Sequence, residues 1–161
     1  MTIAAARPGA TGALRTRNKG NTVVRWITST DHKISVTGIQ WSWQFTYTSD
    51  SGPDTTVTGT PGKPPTLYLP QGESVQFRLE SNDVIHSFWV PAFLFKMDVI
   101  PGRVNTFEIT PKQLGRFRGR CAELCGQDHA RMLFNVKVVT PAEYQDYLTG
   151  LEDRLAKGSA Q

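Results

Sequence analysis

From Ile34 onward, apolar and polar residues alternate in short runs with a period of two. In Ile39 to Tyr47, Trp41, Trp43, Phe45 and Tyr47 fall on one side and Ser42, Gln44 and Thr46 on the other. That alternation predicts a half-buried strand. Val75, Phe77 and Leu79 alternate with Gln76, Arg78 and Glu80 in the same way. Further strands are predicted at Thr55–Thr58, Thr66–Leu69, Val84–Val90, Val104–Ile109 and Met132–Val139, with Gly115–Arg120 leading into a cysteine loop. The turn-rich stretch 49–65, Pro70-Gln71-Gly72, Ser81-Asn82-Asp83, Pro91 and Pro101-Gly102 punctuate these runs. Pro111–Leu114 reads as one helical turn. Many short strands between Gly and Pro turns predict an all-β fold, an antiparallel sandwich or barrel.

Two ends of the chain break the pattern. Thr140 as N-cap, Pro141 at the first helical position and Glu143 three residues after the cap form a capping box. A short C-terminal helix is predicted to run to about Lys157, where Gly158 stops it. Residues 1–33 are rich in Ala, Gly, Arg, Thr and Asn and cannot bury enough apolar surface to offset their ordering entropy. They are expected to be a flexible basic leader. The expected division is therefore a leader at 1–33, a β domain at 34–140, and a helix and tail at 141–161. No internal repeat is apparent.

Composition changes this picture little. At 161 residues and 39% hydrophobic content the chain can build one core. No run approaches the roughly 18 apolar residues of a membrane-spanning helix, and none has signal-peptide character. A soluble chain is the expectation. The net charge of +4 arises in the leader, where six bases face Asp31 alone; residues 34–161 carry twelve bases and thirteen acids. A near-neutral body offers no obvious phosphate-binding stripe, so nucleic acid is not expected as a partner.

The candidate chemistry lies in Cys121-Ala122-Glu123-Leu124-Cys125-Gly126-Gln127-Asp128-His129-Ala130-Arg131-Met132. Twelve residues hold two thiols, an imidazole and a thioether, and His86 sits on a predicted strand 35 residues upstream. Thiolate and thioether are soft donors that, with imidazole, suit copper better than Mg or Ca. A single blue copper needs one Cys, so a second Cys is left over. Two thiolates can bridge two copper ions, each capped by one His, with Met132 and a backbone carbonyl as weaker ligands. Taken singly, these residues have plainer readings. The cysteines fit a disulfide or inert buried thiols, His129 a surface histidine and Met132 core filler; two Cys with two His also fit zinc. The spacing C-x3-C-x3-H-x2-M with an upstream strand His favours copper over these.

Gln40-Trp41-Ser42-Trp43, Asp83-Val84-Ile85-His86-Ser87-Phe88, Lys96-Met97-Asp98-Val99-Ile100-Pro101-Gly102-Arg103 and Gly119-Arg120-Cys121-Ala122-Glu123-Leu124-Cys125-Gly126, with His129 and Met132, complete the pattern. Over about residues 34–148 the chain resembles the soluble dinuclear-copper (CuA) domain of subunit II of haem-copper cytochrome c oxidases. The resemblance implies a cupredoxin-like Greek-key barrel. It implies Cys121 and Cys125 as bridging ligands, His86 and His129 as terminal ligands, and Met132 and the Glu123 carbonyl as weak ones. It also implies that the Glu123 side chain helps bind magnesium at a subunit I interface, although a loop Glu is ordinarily just solvated. Trp41 matches the family's electron-entry tryptophan; from periodicity alone it fits an aromatic core face equally well. Asp83 matches an acidic position near the cytochrome docking surface, where the plainer reading is a turn residue capping a hairpin. Asp98 and Arg103 match the segment leading to the partner subunit.

The implied function is an electron-transfer module at the outer face of the plasma membrane, taking electrons from cytochrome c and passing them to subunit I. It is not expected to be catalytic alone. The alternatives are a zinc- or disulfide-stapled sandwich used for protein binding, and a nitrous oxide reductase-type copper domain. Gly20 to Lys33 resembles the start of subunit I in actinobacterial oxidases, so the chain reads as a subunit I leader joined to a subunit II domain. His32, on the leader side of that join, is not expected to be a ligand.

Overall fold

Trp43, Phe45 and Tyr47 turn inward from one strand and meet Phe77, Phe88, Phe107 and Phe134 from others, all at most 2% exposed. The computed structural model of the chain describes residues 22–25 as backbone, then 30–49 and 52–158. Its strands are β1 (Thr22–Arg25), β2 (His32–Ile39), β3 (Ser42–Tyr47), β4 (Thr55–Thr58), β5 (Thr66–Pro70), β6 (Val75–Ser81), β7 (His86–Val90), β8 (Phe95–Val99), β9 (Asn105–Pro111), β10 (Gly115–Cys121) and β11 (Leu133–Val139). One sheet has the order β1-β9-β6-β2-β3-β4 and the other β5-β11-β10-β7-β8. The aromatic layer between them is tightly keyed: Phe88 stacks on Phe134 at 4.8 Å and Phe77 on Phe107 at 4.8 Å, while Trp43 meets Phe134 edge-on at 5.4 Å. Such offset and edge-on contacts add to the gain from burial alone.

The all-β sandwich is present, with four departures from the pattern-based expectation. Ile39–Tyr47 is not one strand: the chain reverses at Gln40-Trp41, so that β2 and β3 form a hairpin with Ile39 opposite Ser42. No Gly or Pro marks this turn; Asp83 marks it instead, accepting the Gln40 N–H at 2.6 Å. Strand β8 was hidden by the prolines on either side, although Phe95, Met97 and Val99 do alternate with Lys96 and Asp98. Pro111–Leu114 forms no helical turn, because Pro111 continues β9 opposite Thr22 of β1. Finally, β2 with β6 and β5 with β11 pair in parallel, which local turn signals do not reveal.

Strand β1 and the start of β2 fall within the segment expected to be a leader; the rest of 1–29, including residues 20, 21 and 26–29 of the subunit I-like stretch, lies outside the described residues. The helix α1 (Pro141–Gly158) opens on the expected box, with Thr140 N donating to Glu143 Oε2 at 3.0 Å and Glu143 N to Thr140 Oγ1 at 3.3 Å. Its Tyr147 ring stacks on Tyr68 of β5 at 3.7 Å. Among the described residues no helix is long and apolar enough to cross a membrane.

Candidate metal centre

Where β7 begins, β10 ends: Phe88 pairs with Cys121, which brings His86 beside the cysteine loop. Ala122 N donates to Ser87 O at 2.9 Å and Cys121 N to Met132 O at 3.0 Å, so both ends of the loop are tied to strands. Within it, Gly126 takes φ +118 and His129–Arg131 form one 3-10 turn, with Met132 N donating back to His129 O. Gly is favoured at such a φ because no Cβ is present to clash.

The loop folds its donors onto one spot. Cys121 Sγ lies 3.8 Å from Cys125 Sγ, nearly twice a disulfide bond length, and both thiols are free. His86 Nδ1 is 3.9 Å from Cys121 Sγ, and His129 Nδ1 is 3.5 Å from Cys125 Sγ. Met132 Sδ is 3.6 Å from Cys125 Sγ, and the Glu123 carbonyl oxygen is 3.1 Å from Cys121 Sγ. The ligand atoms of His86, Cys121 and Cys125 all lie within 4.8 Å of one another. His86, Cys121, Cys125 and Met132 are buried, while His129 is partly exposed. The Glu123 side chain is exposed.

Electrostatics prepare the pair asymmetrically. Burial opposes ionisation of Cys121, but its hydrogen bond to His86 and backbone contacts overcome this and bring its pKa down to about 7. Burial and the neighbouring Cys121 charge push Cys125 up to about 12. Burial disfavours protonated His86, yet Cys121 and Asp83 together hold its pKa above the ordinary value. Asp83 Oδ1 sits 2.7 Å from His86 Nε2, which leaves Nδ1 facing the thiols. A carboxylate on the far ring nitrogen fixes the tautomer in which the near nitrogen offers its lone pair.

All the donors singled out from the sequence converge here, and Trp41 and Asp83 border them. The Trp41 indole N–H donates to the Cys125 carbonyl at 3.0 Å. Three participants were not legible. Gln40 Nε2 donates to the same carbonyl at 2.8 Å, and only its place beside Trp41 hinted at this. Trp43, expected as packing, also donates weakly to Met132 O at 3.4 Å. Gly38 leaves room for the imidazole, since a Cβ there would come within 2.7 Å of His86 Cδ2.

Comparison with known proteins follows the same lines. The family described as cytochrome c oxidase subunit II, periplasmic domain, matches residues 64–139. The crystal structure of the periplasmic domain of cytochrome oxidase subunit II from Bradyrhizobium japonicum superposes with a TM-score of 0.72 at 31% identity, covering 80% of this chain and 99% of that one. This chain belongs to the cytochrome c oxidase subunit II family. Within the family, the probable subunit 2 of Streptomyces coelicolor is 44% identical over 158 residues, covering 75% of this chain and 49% of the relative. Subunit 2 of Mycobacterium tuberculosis is 48% identical over 96 residues, covering 56% of this chain and 26% of the relative. The chain thus spans about half the length of the Streptomyces relative, corresponding to the periplasmic part of subunit II. Its sandwich is cupredoxin-like, as the superposition with that periplasmic domain requires.

Proposed function

We propose that the chain is the electron-entry module of a haem-copper oxidase, receiving single electrons from cytochrome c and relaying them to subunit I. The observation that carries this is the pair of free sulfurs 3.8 Å apart, each with its own imidazole. One Cys would suffice for a mononuclear copper, and two shared thiolates serve two metals.

In this reading Cys121, Cys125, His86 and His129 would hold two copper ions, with Met132 and the Glu123 carbonyl as weaker ligands. When bound, the copper pair supplies a one-electron carrier whose charge is spread over two metals. The protein keeps the donors in place: β7 and β10 hold His86 and Cys121, Asp83 fixes the His86 ring, and Trp43, Phe88 and Phe134 pack together on the core side. A rigid, largely apolar inner shell keeps the reorganisation on electron transfer small. Trp41 is the entry residue, linked by one hydrogen bond to the Cys125 backbone. The cytochrome docks over it, with Asp83 at the edge of the docking surface. The exposed Glu123 carboxylate supplies one oxygen ligand to a magnesium ion at the subunit I interface. In the assembled oxidase the domain stands at the outer face of the plasma membrane.

The test is to load the metal-free protein with copper. Two coppers per chain, a purple colour and a spin-resonance spectrum of one electron shared by two equivalent copper nuclei are expected. A single copper with a blue mononuclear spectrum overturns the proposal. So does a colourless protein that retains zinc, the outcome favoured if these donors form a Cys2His2 structural site.

A further inference from the structure

The near-neutral charge of residues 34–161 conceals a strong segregation. Strand β10 sends Arg116, Arg118 and Arg120 outward at every second position, and all three are exposed. Its neighbours add to the same outer face. Lys137 of β11 stands directly opposite Arg116, and Lys96 of β8 lies opposite Trp89, which is itself opposite Arg120. The acids on this face are Asp98, 3.8 Å from Lys96, and Glu143 of α1, whose carboxylate is stabilised by Thr140 and by the charge of Lys137. Five bases therefore face two acids, while the rest of residues 34–161 holds seven bases and eleven acids.

This arrangement carries a cost within the fold. Like charges directly opposite on neighbouring strands repel, and among the described residues Arg116, Arg118 and Arg120 form no ion pair. The chain's own N-terminal residues 1–21 cannot neutralise them, since they carry four bases and no acid. We infer that the outer face of the β10 sheet is a docking surface for a carboxylate-rich surface of another protein, recognised by the Arg116-Arg118-Arg120 ladder. Residues two apart on a strand are roughly 7 Å apart, so the ladder spans roughly 14 Å. Arginine forks match carboxylates in a bidentate way that lysine cannot.

The same face fits other polyanions less well. Its two aromatic rings are already covered: Arg120 lies 5.8 Å over Trp89, and Tyr68 lies between Tyr147 and Lys137. No ring remains open for stacking a nucleic-acid base. On the ladder's own strand and its β11 neighbour, Leu133, at 37% exposed, is the main apolar side chain, which gives little to insert into a lipid surface. The face is also distinct from Trp41 and Asp83, which lie at the β2–β3 turn and the start of β7. A partner here would thus approach without covering the proposed electron-entry residue.

The test uses the whole copper-loaded chain and three probes: a fluorescent glutamate decamer, phosphatidylglycerol vesicles and a short single-stranded DNA. Amide shifts in nuclear magnetic resonance report where each binds. Binding of the glutamate peptide, with shifts confined to Gly115–Cys121 and Leu133–Val139 and weakening with salt, is expected. R118E and the milder R116Q/R118Q are expected to weaken it about tenfold or more, with R78E on the opposite sheet leaving it unchanged. Unchanged binding in both β10 variants, equal loss in R78E, or shifts spread over the surface overturns the inference. Binding of vesicles or DNA at this face in preference to the peptide overturns it in favour of that ligand. The copper spectrum is expected to stay the same in all three variants, so failure here is separable from failure of the electron-entry reading.

Discussion

Asp83 holds His86 by its outer nitrogen: the carboxylate Oδ1 lies 2.7 Å from Nε2, while the other oxygen accepts the Gln40 N–H at 2.6 Å. One side chain thus fixes both an imidazole and the turn that carries Trp41. Asp83→Asn keeps the shape and removes the charge that supports the metal-binding tautomer. Replacing such outer-shell partners weakens metal sites about 10–100-fold. Copper affinity, measured by competition with a chelator, is expected to fall within that range while the folded sandwich persists. An affinity equal to that of the parent protein would show that Asp83 acts only as a turn cap.

Metal uptake should depend on pH in a defined direction. Copper needs both thiols deprotonated and both imidazoles neutral. With Cys121 at about 7 and Cys125 at about 12, a metal-free site at pH 8 has mostly lost the first proton and kept the second. At pH 6 Cys121 is mostly protonated as well, so both thiol protons must leave on loading. Proton release on loading is therefore expected to be larger at pH 6 than at pH 8, and apparent affinity to weaken as pH falls through about 7. Calorimetry in buffers of different ionisation enthalpy measures the release. Equal release at both pH values would contradict the asymmetry of the thiol pair.

Gly119 sits in β10 against the ring of Phe134, where an added Cβ would come within 2.1 Å of Cζ. The ring has little room to retreat, because Phe88 stacks on it and Trp43 meets it edge-on. Gly119→Ala is expected to cost about 3 kcal/mol of stability by overpacking. In the double variant Gly119→Ala/Phe134→Leu part of that loss should return, as read from urea midpoints. Full additivity of the two single changes would mean that the clash is relieved elsewhere.

How legible all this was depended on the range of the interactions. The copper loop lies within twelve consecutive residues, and its ligands are soft donors at fixed spacing, so sequence alone was enough to single out Cys121, Cys125, His129 and Met132. His86 required only a strand that begins beside them. The capping box of α1 was likewise local and formed as read. What was missed is set across the sandwich. The turn at Gln40-Trp41 is stabilised by Asp83, 43 residues away, and carries none of the usual turn residues. The parallel pairings join strands distant in sequence. The basic face escaped notice because its charges cancel in the sum and separate only when the strands are laid out in the order β11-β10-β7-β8.

Trp41 and Gln40 both donate to the Cys125 carbonyl, at 3.0 and 2.8 Å, so one can be removed while the other still satisfies that oxygen. This separates electron entry from support of the loop. Trp41→Phe should cost roughly 1 kcal/mol, the usual net worth of one hydrogen bond, and leave the copper spectrum intact. Gln40→Ala should cost a similar amount. The two should differ in kinetics: reduction of the loaded protein by a cytochrome c, followed by stopped flow, is expected to slow markedly in Trp41→Phe and to change little in Gln40→Ala. Removal of the indole also removes the bridge between the surface and the Cys125 backbone, which Gln40 does not replace because its amide has no conjugated ring to carry the electron. Equal slowing in the two variants would assign Trp41 to packing of the loop and leave electron entry to another residue.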